Sequence, residues 1–257
     1  MTPIRAANKI LLLWQQHGPD AYPVDLQQVV DGVINQSSSP DRLNLSYEHL
    51  QSTEGAMLQA TVDPHSFAAI VNLGIKNSGR RRFTLAHEIG HFVLHRSLKM
   101  NFQCSREMLE DFKTLGVERE ANQFASQLLI PPNRVREYDE KPWNLDTLKE
   151  ISARFEVSLQ AAGLRATQLS QKRRAFVVSV SDFVEWGSSS ERLYKQGCFF
   201  RQMMEVPVGS TAFGAEFSAD RLDEVCVQSD FWGVTRRFKE ESMLGYDGRI
   251  YTCIDAD

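Results

Sequence analysis

The five residues His87-Glu88-Ile89-Gly90-His91 restrict this chain more than any other stretch of its 257 residues. From the chain's own composition, the pattern His-Glu-x-x-His arises by accident about 1% of the time. Phe83, Leu85, Ala86, Ile89, Phe92 and Val93 surround it with helical spacing, which predicts a helix over residues 82–96. Four residues span a little over one helical turn, so both imidazoles project from one face and can share a zinc ion. Glu88 lies between them, where it can take a proton from a water that the metal activates. The alternative is a buried helix whose histidines only hydrogen-bond.

A hydrolytic zinc needs a third protein ligand and an open position for water. The stretch Glu118-Arg-Glu120-Ala-Asn122-Gln-Phe-Ala-Ser-Gln-Leu-Leu-Ile-Pro offers one. At about 100° per residue, Ala121, Ala125, Leu128 and Leu129 fall within about 80° of Glu118, so its carboxylate borders the buried face. Glu120 falls with Gln123 and Gln127 on the opposite, polar face. Glu118 is therefore expected to be the ligand and Glu120 to be solvated. Asn122, one turn beyond Glu118, could accept a hydrogen bond from a ligand histidine, or be a helix-face amide with no special duty. His95 lies eight residues after His87, about 12 Å along the helix axis, too far for both to bind one ion; it is expected to cap or pack near the helix end. His65 and Tyr138 are candidates to stabilise a tetrahedral oxyanion, although nothing in the sequence places either at the metal. Cys104 lies between the two ligand-bearing segments. A thiolate reaching the open position would block hydrolysis; an ordinary half-buried cysteine is the alternative.

Around this site the patterning predicts helices over 4–16 and from about Asp25, and strands over 43–50, 56–62 and 67–73. Further helices follow over 107–129, 145–155 and 158–170. The strand Phe67–Leu73, with Phe67, Ile70, Val71 and Asn72, is expected to be the edge strand along which a substrate pairs. After Lys172-Arg-Arg174 the texture becomes strand-rich and aromatic. Residues 175–257 carry 8 basic and 14 acidic side chains. A boundary near 172 is expected, with a domain over 1–172 and another over 173–257. The net charge is −4, so no global basic field advertises nucleic-acid binding. Local clusters at Arg80-Arg-Arg82, Lys172-Arg-Arg174 and Arg236-Arg-Phe-Lys239 could form a path for single-stranded DNA, with Trp232 or Phe238 stacking on bases; solvated surface is the alternative. The longest strongly apolar run, Ile10–Trp14, is too short for a membrane span. The start lacks the features of a secretory signal, and the four cysteines form no C-x-x-C pair or dense framework. A cytoplasmic setting without a membrane partner is expected.

Phe83-Thr-Leu-Ala-His-Glu-Ile-Gly-His followed by Glu118-x-x-Ala-Asn-x-Phe-Ala-x-x-Leu-Leu-Ile-Pro resembles the ImmA/IrrE metallopeptidases, most strongly over residues 67–132. The resemblance implies an α+β fold with a small gluzincin-like core, one zinc per chain held by His87, His91 and Glu118, and Glu88 as general base. It also implies a substrate class: helix-turn-helix repressors, whose cleavage switches on a stress, mobile-element or phage-defence operon. Residues 146–169 resemble a helix-turn-helix, but glycine is missing from the turn near Glu156 and the basic residues are few, Lys149, Arg154 and Arg165. Packing of these helices onto the core is therefore the expected role. By family analogy the tail is a small α/β, GAF-like sensor domain. The rival to a peptidase is a non-proteolytic, zinc-containing regulator that binds DNA or a partner protein.

Overall fold

The computed structural model describes residues 1–19, 21–98, 102–104, 116–214, 222–227, 231–234 and 238–256, without the side chains at 103, 104, 222–227 and 231. Met1–Pro131 with Arg154–Ser158 form one compact unit, and Pro132–Ala153 with Leu159–Asp257 form the other. No helix among the described residues is long and apolar enough to cross a membrane.

In the first unit, α1 (Pro3–His17) opens with Thr2 as N-cap and proline in its first turn. It buries Ile10, Leu11 and Trp14. α2 (Leu26–Val29) runs into a π-helical turn over Val30–Ile34. Strands β1 (Arg42–Glu48), β2 (Gly55–Gln59), β3 (Ser66–Asn72) and β4 (Phe102–Cys104) form a sheet in the order β1-β3-β2-β4. β1 runs parallel to β3, and the other pairs are antiparallel.

This order corrects the expectation of a substrate-binding edge over Phe67, Ile70, Val71 and Asn72. β3 is interior, paired with β1 on one side and β2 on the other, so its main chain has no row of groups left for a substrate. Its short apolar run reflects burial at the sheet centre, where Phe67, Ala69 and Val71 are all covered. Among the described residues the edges are β1 and β4. Asn72 instead ties down the β1–β2 connection, donating to the carbonyls of Leu50 and Thr53 at 2.8 Å each.

α3 (Ser78–His95) starts where Asn77 Oδ1 accepts from the Arg80 amide. α4 is Val117–Leu129; the expected helical residues 107–115 lie outside the described residues.

The second unit holds α5 (Pro132–Val135), α6 (Leu145–Phe155, to Ala153), α7 (Leu159–Leu169) and a five-stranded antiparallel sheet. Its strands are β5 (Arg174–Val180), β6 (Phe183–Ser189), β7 (Leu222–Val227), β8 (Phe238–Leu244) and β9 (Ile250–Asp255), in the order β6-β5-β9-β8-β7, with a short α8 (Glu191–Tyr194) after β6. Period-two alternation divides β5 between two layers. Ala175 and Val177 join Trp232, Phe238, Ile250 and Ile254 in one core cluster. Phe176 faces α7, where a Cβ on Gly163 would come within 2.5 Å of its ring.

The boundary near 172 marks the chain's entry into this sheet, but the compact unit begins forty residues earlier. Arg174, buried at the start of β5, donates to Asp139 at 3.1 Å and to the Lys141 carbonyl at 2.7 Å. Trp143 donates to the Ala175 carbonyl at 2.9 Å, and Glu241 accepts from the Leu145 amide at 3.0 Å. These bonds span 32 to 96 residues, so no local pattern reveals them. The turn between α6 and α7 places Glu156 at φ 49, the left-handed conformation that glycine would adopt with less strain. α7 packs on β5 and β6 within its own unit. Trp232 and Phe238 are 2% and 3% exposed and serve the core, so neither is available to stack on a base.

Gly163→Ala should lower the melting temperature, because the added carbon meets the Phe176 ring. Overpacking of this kind costs about 1–3 kcal/mol, which outweighs the helix-propensity gain of roughly 1 kcal/mol. An unchanged or raised melting temperature, followed by tryptophan fluorescence, would show that α7 does not rest on Phe176.

Candidate metal centre

α3 and α4 cross at two small residues. A Cβ on Gly90 would lie 3.0 Å from the Phe124 ring and 3.3 Å from the Cα of Ala121, so glycine lets the backbones approach closely. Ile89 and Phe92 of α3 and Phe124, Ala125 and Leu128 of α4 are all buried. His87 and His91, one turn apart on α3, therefore face the first turn of α4, which carries Glu118.

Among the described residues, His87, His91 and Glu118 form a group able to hold a metal ion. The two Nε2 atoms lie 2.9 Å apart, and Glu118 Oε2 lies 3.2 Å from His87 Nε2 and 3.5 Å from His91 Nε2. Three tetrahedral ligands at bond lengths near 2.1 Å stand about 3.4 Å from one another, close to this triangle. The proton positions agree. Asn122 Oδ1 only accepts, so the 2.9 Å contact makes His87 Nδ1 the donor and leaves Nε2 as the lone-pair nitrogen. Glu120 accepts from His95 Nε2 at 2.9 Å, which leaves His95 Nδ1 to accept from His91 Nδ1 at 3.1 Å. His91 Nε2 then also presents a lone pair to the shared point.

Electrostatics point the same way. Burial pushes the His91 pKa down to about 4, helped by the neighbouring His87 and His95 rings against the pull of Glu118. At neutral pH the ring is therefore uncharged, the form that ligates metal. Burial alone would raise the Glu118 pKa, but the His87 and His91 rings outweigh it and hold the carboxylate well below its usual range. Two imidazoles and one carboxylate suit zinc among the common divalent ions.

Glu88 is fully buried, and its carboxylate occupies the space that a side chain on Gly55 would need. A Cβ there would lie 2.5 Å from Glu88 Oε1 and 2.6 Å from the Thr84 methyl. Gly55 therefore makes room for the acid, a role with no signature in its local sequence. Phe102 of β4 stacks on His91, with ring centroids 4.1 Å apart and planes at 20°; a three-residue strand carries no periodicity from which to expect it.

Glu120 is not simply solvated surface: half exposed, it is bonded to His95. The face assignment holds for Glu118, which joins the two histidines, and for Glu120, which is exposed; it does not show that α3 continues one turn past His91 and brings His95 within reach of Glu120. Gln127, expected on the polar face, is buried and donates to Asn8 at 2.7 Å. His65 is more than half exposed and pairs through Nδ1 with Asp41, which also accepts from Arg96. Tyr138 is buried in the second unit, with the Lys141 ammonium 4.7 Å from its ring centre. Cys104 ends β4 with its Cα paired to that of Gly55; whether its sulfur reaches the metal lies outside the described atoms. Arg80 binds Glu54 at 2.6 Å, and Arg82 donates to the Val24 carbonyl. Arg236 and Arg237 lie outside the described residues.

A helix bearing His-Glu-x-x-His, completed by a glutamate from the next helix, defines a zincin-type metallopeptidase site. Residues 59–167 match the IrrE N-terminal-like domain, Peptidase_M78, and the matched stretch contains the His87, His91 and Glu118 group. The fold is similar to that of a solved Mycobacterium tuberculosis transcriptional regulator, with a TM-score of 0.55 at 14% identity, over 98% of this chain and 88% of that chain. No curated protein matches the chain.

Replacing His87, His91 or Glu118 with alanine should lower metal content measured by plasma mass spectrometry. Gly55→Ala should retain metal but reduce hydrolysis by about 100-fold or more, the scale of a misplaced general base. Loss of metal in Gly55→Ala would mean that the glycine supports the ligands instead of Glu88.

Proposed function

We propose that the chain is a zinc-dependent endopeptidase that makes limited cuts in a helix-turn-helix transcriptional repressor and so switches on a stress, mobile-element or phage-defence operon. The observation that carries the enzymatic part is Glu88. A structural metal needs ligands but no base, yet this chain buries a carboxylate next to the ligand pair and keeps a glycine opposite to accommodate it. His87, His91 and Glu118 would hold the zinc ion, which would supply a Lewis acid for the scissile carbonyl and for the attacking water. Glu88 accepts the proton of the attacking water and passes it to the leaving amine. Asn122 keeps the His87 ring turned toward the ligand point through its 2.9 Å bond.

The repressor substrate, the cytoplasmic setting and the second unit's role as a GAF-like sensor rest on the resemblance to the ImmA/IrrE family. Single-stranded DNA is a candidate activator through the remaining basic residues. A second reading, a non-proteolytic zinc-containing regulator binding DNA or a partner, draws on the fold likeness to a transcriptional regulator.

Glu88→Gln separates the two. The amide cannot take the water's proton, so the variant should keep its metal and its fold while cleavage of a co-expressed repressor, followed on gels, disappears. Equal cutting by the variant would remove Glu88 from the mechanism; no cutting by the wild-type chain would favour the regulator.

A repressor-cutting enzyme also needs restraint. We assign it to Cys104, whose Cα is paired with that of Gly55 beside the general base. A thiolate at the open ligand position would exclude water until it is withdrawn. Cys104→Ser should raise basal repressor cleavage without altering the circular dichroism spectrum, and unchanged basal cleavage would reject the switch.

A further inference from the structure

His91 has a hydrogen-bonding chain that the catalytic reading does not use. Its Nδ1 contacts His95 Nδ1 at 3.1 Å, and His95 Nε2 contacts Glu120 Oε2 at 2.9 Å. His91 is fully buried, the His95 side chain is 5% exposed and that of Glu120 is 49% exposed. The chain thus runs from the ligand point to the surface. Phe102 covers both rings, its centroid 4.1 Å from His91 and 5.9 Å from His95.

We infer that His95 and Glu120 are positioning residues for the metal, acting in series to fix the tautomer and tilt of His91. A neutral imidazole carries one N–H, and that proton decides which nitrogen can ligate. The carboxylate can only accept, so it holds the His95 proton on Nε2. His95 Nδ1 must then accept, which holds the His91 proton on Nδ1 and leaves Nε2 for the metal. Without an acceptor beside it, His91 loses the partner that favours this tautomer over the other. The two ligand histidines are therefore fixed by different devices. His87 ends on a neutral, buried amide, whereas His91 ends on a carboxylate that water can reach. Partners beyond the ligands typically contribute 10–100-fold in metal affinity.

The inference rests on the metal-site reading, and its test separates the two. Zinc affinity of the full chain is measured by chelator competition at fixed pH, beside nitrogen-15 spectra of the histidine side chains. The wild-type chain should bind one zinc, with the His91 ring in the Nδ1–H tautomer. His95→Ala should weaken binding by about 10–100-fold and abolish the His91 Nδ1–H signature. Glu120→Ala should weaken it less. Glu120→Gln, which retains an oxygen acceptor for His95, should stay within a factor of about three of wild type. Should His95→Ala fail to fold, the Glu120 pair carries the test at a half-exposed position. Wild-type affinity in His95→Ala, or in Glu120→Ala, overturns the inference while leaving the metal site intact. Equal losses in Glu120→Gln and Glu120→Ala overturn it too, because charge rather than hydrogen bonding would then be responsible. A wild-type chain that binds no zinc overturns the metal-site reading as well.

Discussion

Three lone pairs aimed at one buried point are the constraint on which this domain depends. His87, Glu88 and His91 are wholly excluded from water, and burying ionisable groups is costly unless something compensates them. A cation held by two imidazoles and a carboxylate offsets that cost, and the binding free energy is then also folding free energy. The close α3–α4 crossing at Gly90 and Ala121 exists in physical terms to bring Glu118 against the two histidines. A larger residue at either position would separate the helices and open the ligand triangle.

The features legible in the sequence were those with short-range periodicity. The His-Glu-x-x-His helix, the apolar face of α4 that points Glu118 inward, and the interval that separates His95 from the ion all follow from 3.6 residues per turn. What escaped depends on contacts between elements. Glu120 falls on the polar side of its own helix, yet α3 extends far enough for His95 to meet it. Gly55 is unremarkable in a strand until Glu88 is seen to fill its Cβ position. β3 reads as a short apolar strand whether it lies at an edge or in the interior; only its pairing with β1 and β2 decides. The second unit shows the same limit. Its sheet is visible from Phe176 onward, but Arg174 reaches back 35 residues to Asp139, which draws α5, α6 and α7 into that unit.

The division of labour within the site is chemical. Glu118 and the two histidines form the group able to hold a metal ion, Glu88 is the proposed general base, and Asn122 and His95 meet the Nδ1 atoms of His87 and His91. Phe102 and Gly55 do no chemistry, but one shields a ligand ring and the other leaves space for the base. The same arrangement of ligands without Glu88 would serve a structural ion, so the proposed hydrolysis rests on one carboxylate and the room made for it.

The most direct test of the metal site is crystallographic. An anomalous difference map, collected at the zinc absorption edge from zinc-loaded crystals, should show one strong peak per chain at about 2.0–2.2 Å from His87 Nε2, His91 Nε2 and a Glu118 oxygen. A chain that binds no zinc there, or holds it on other side chains, would contradict the account.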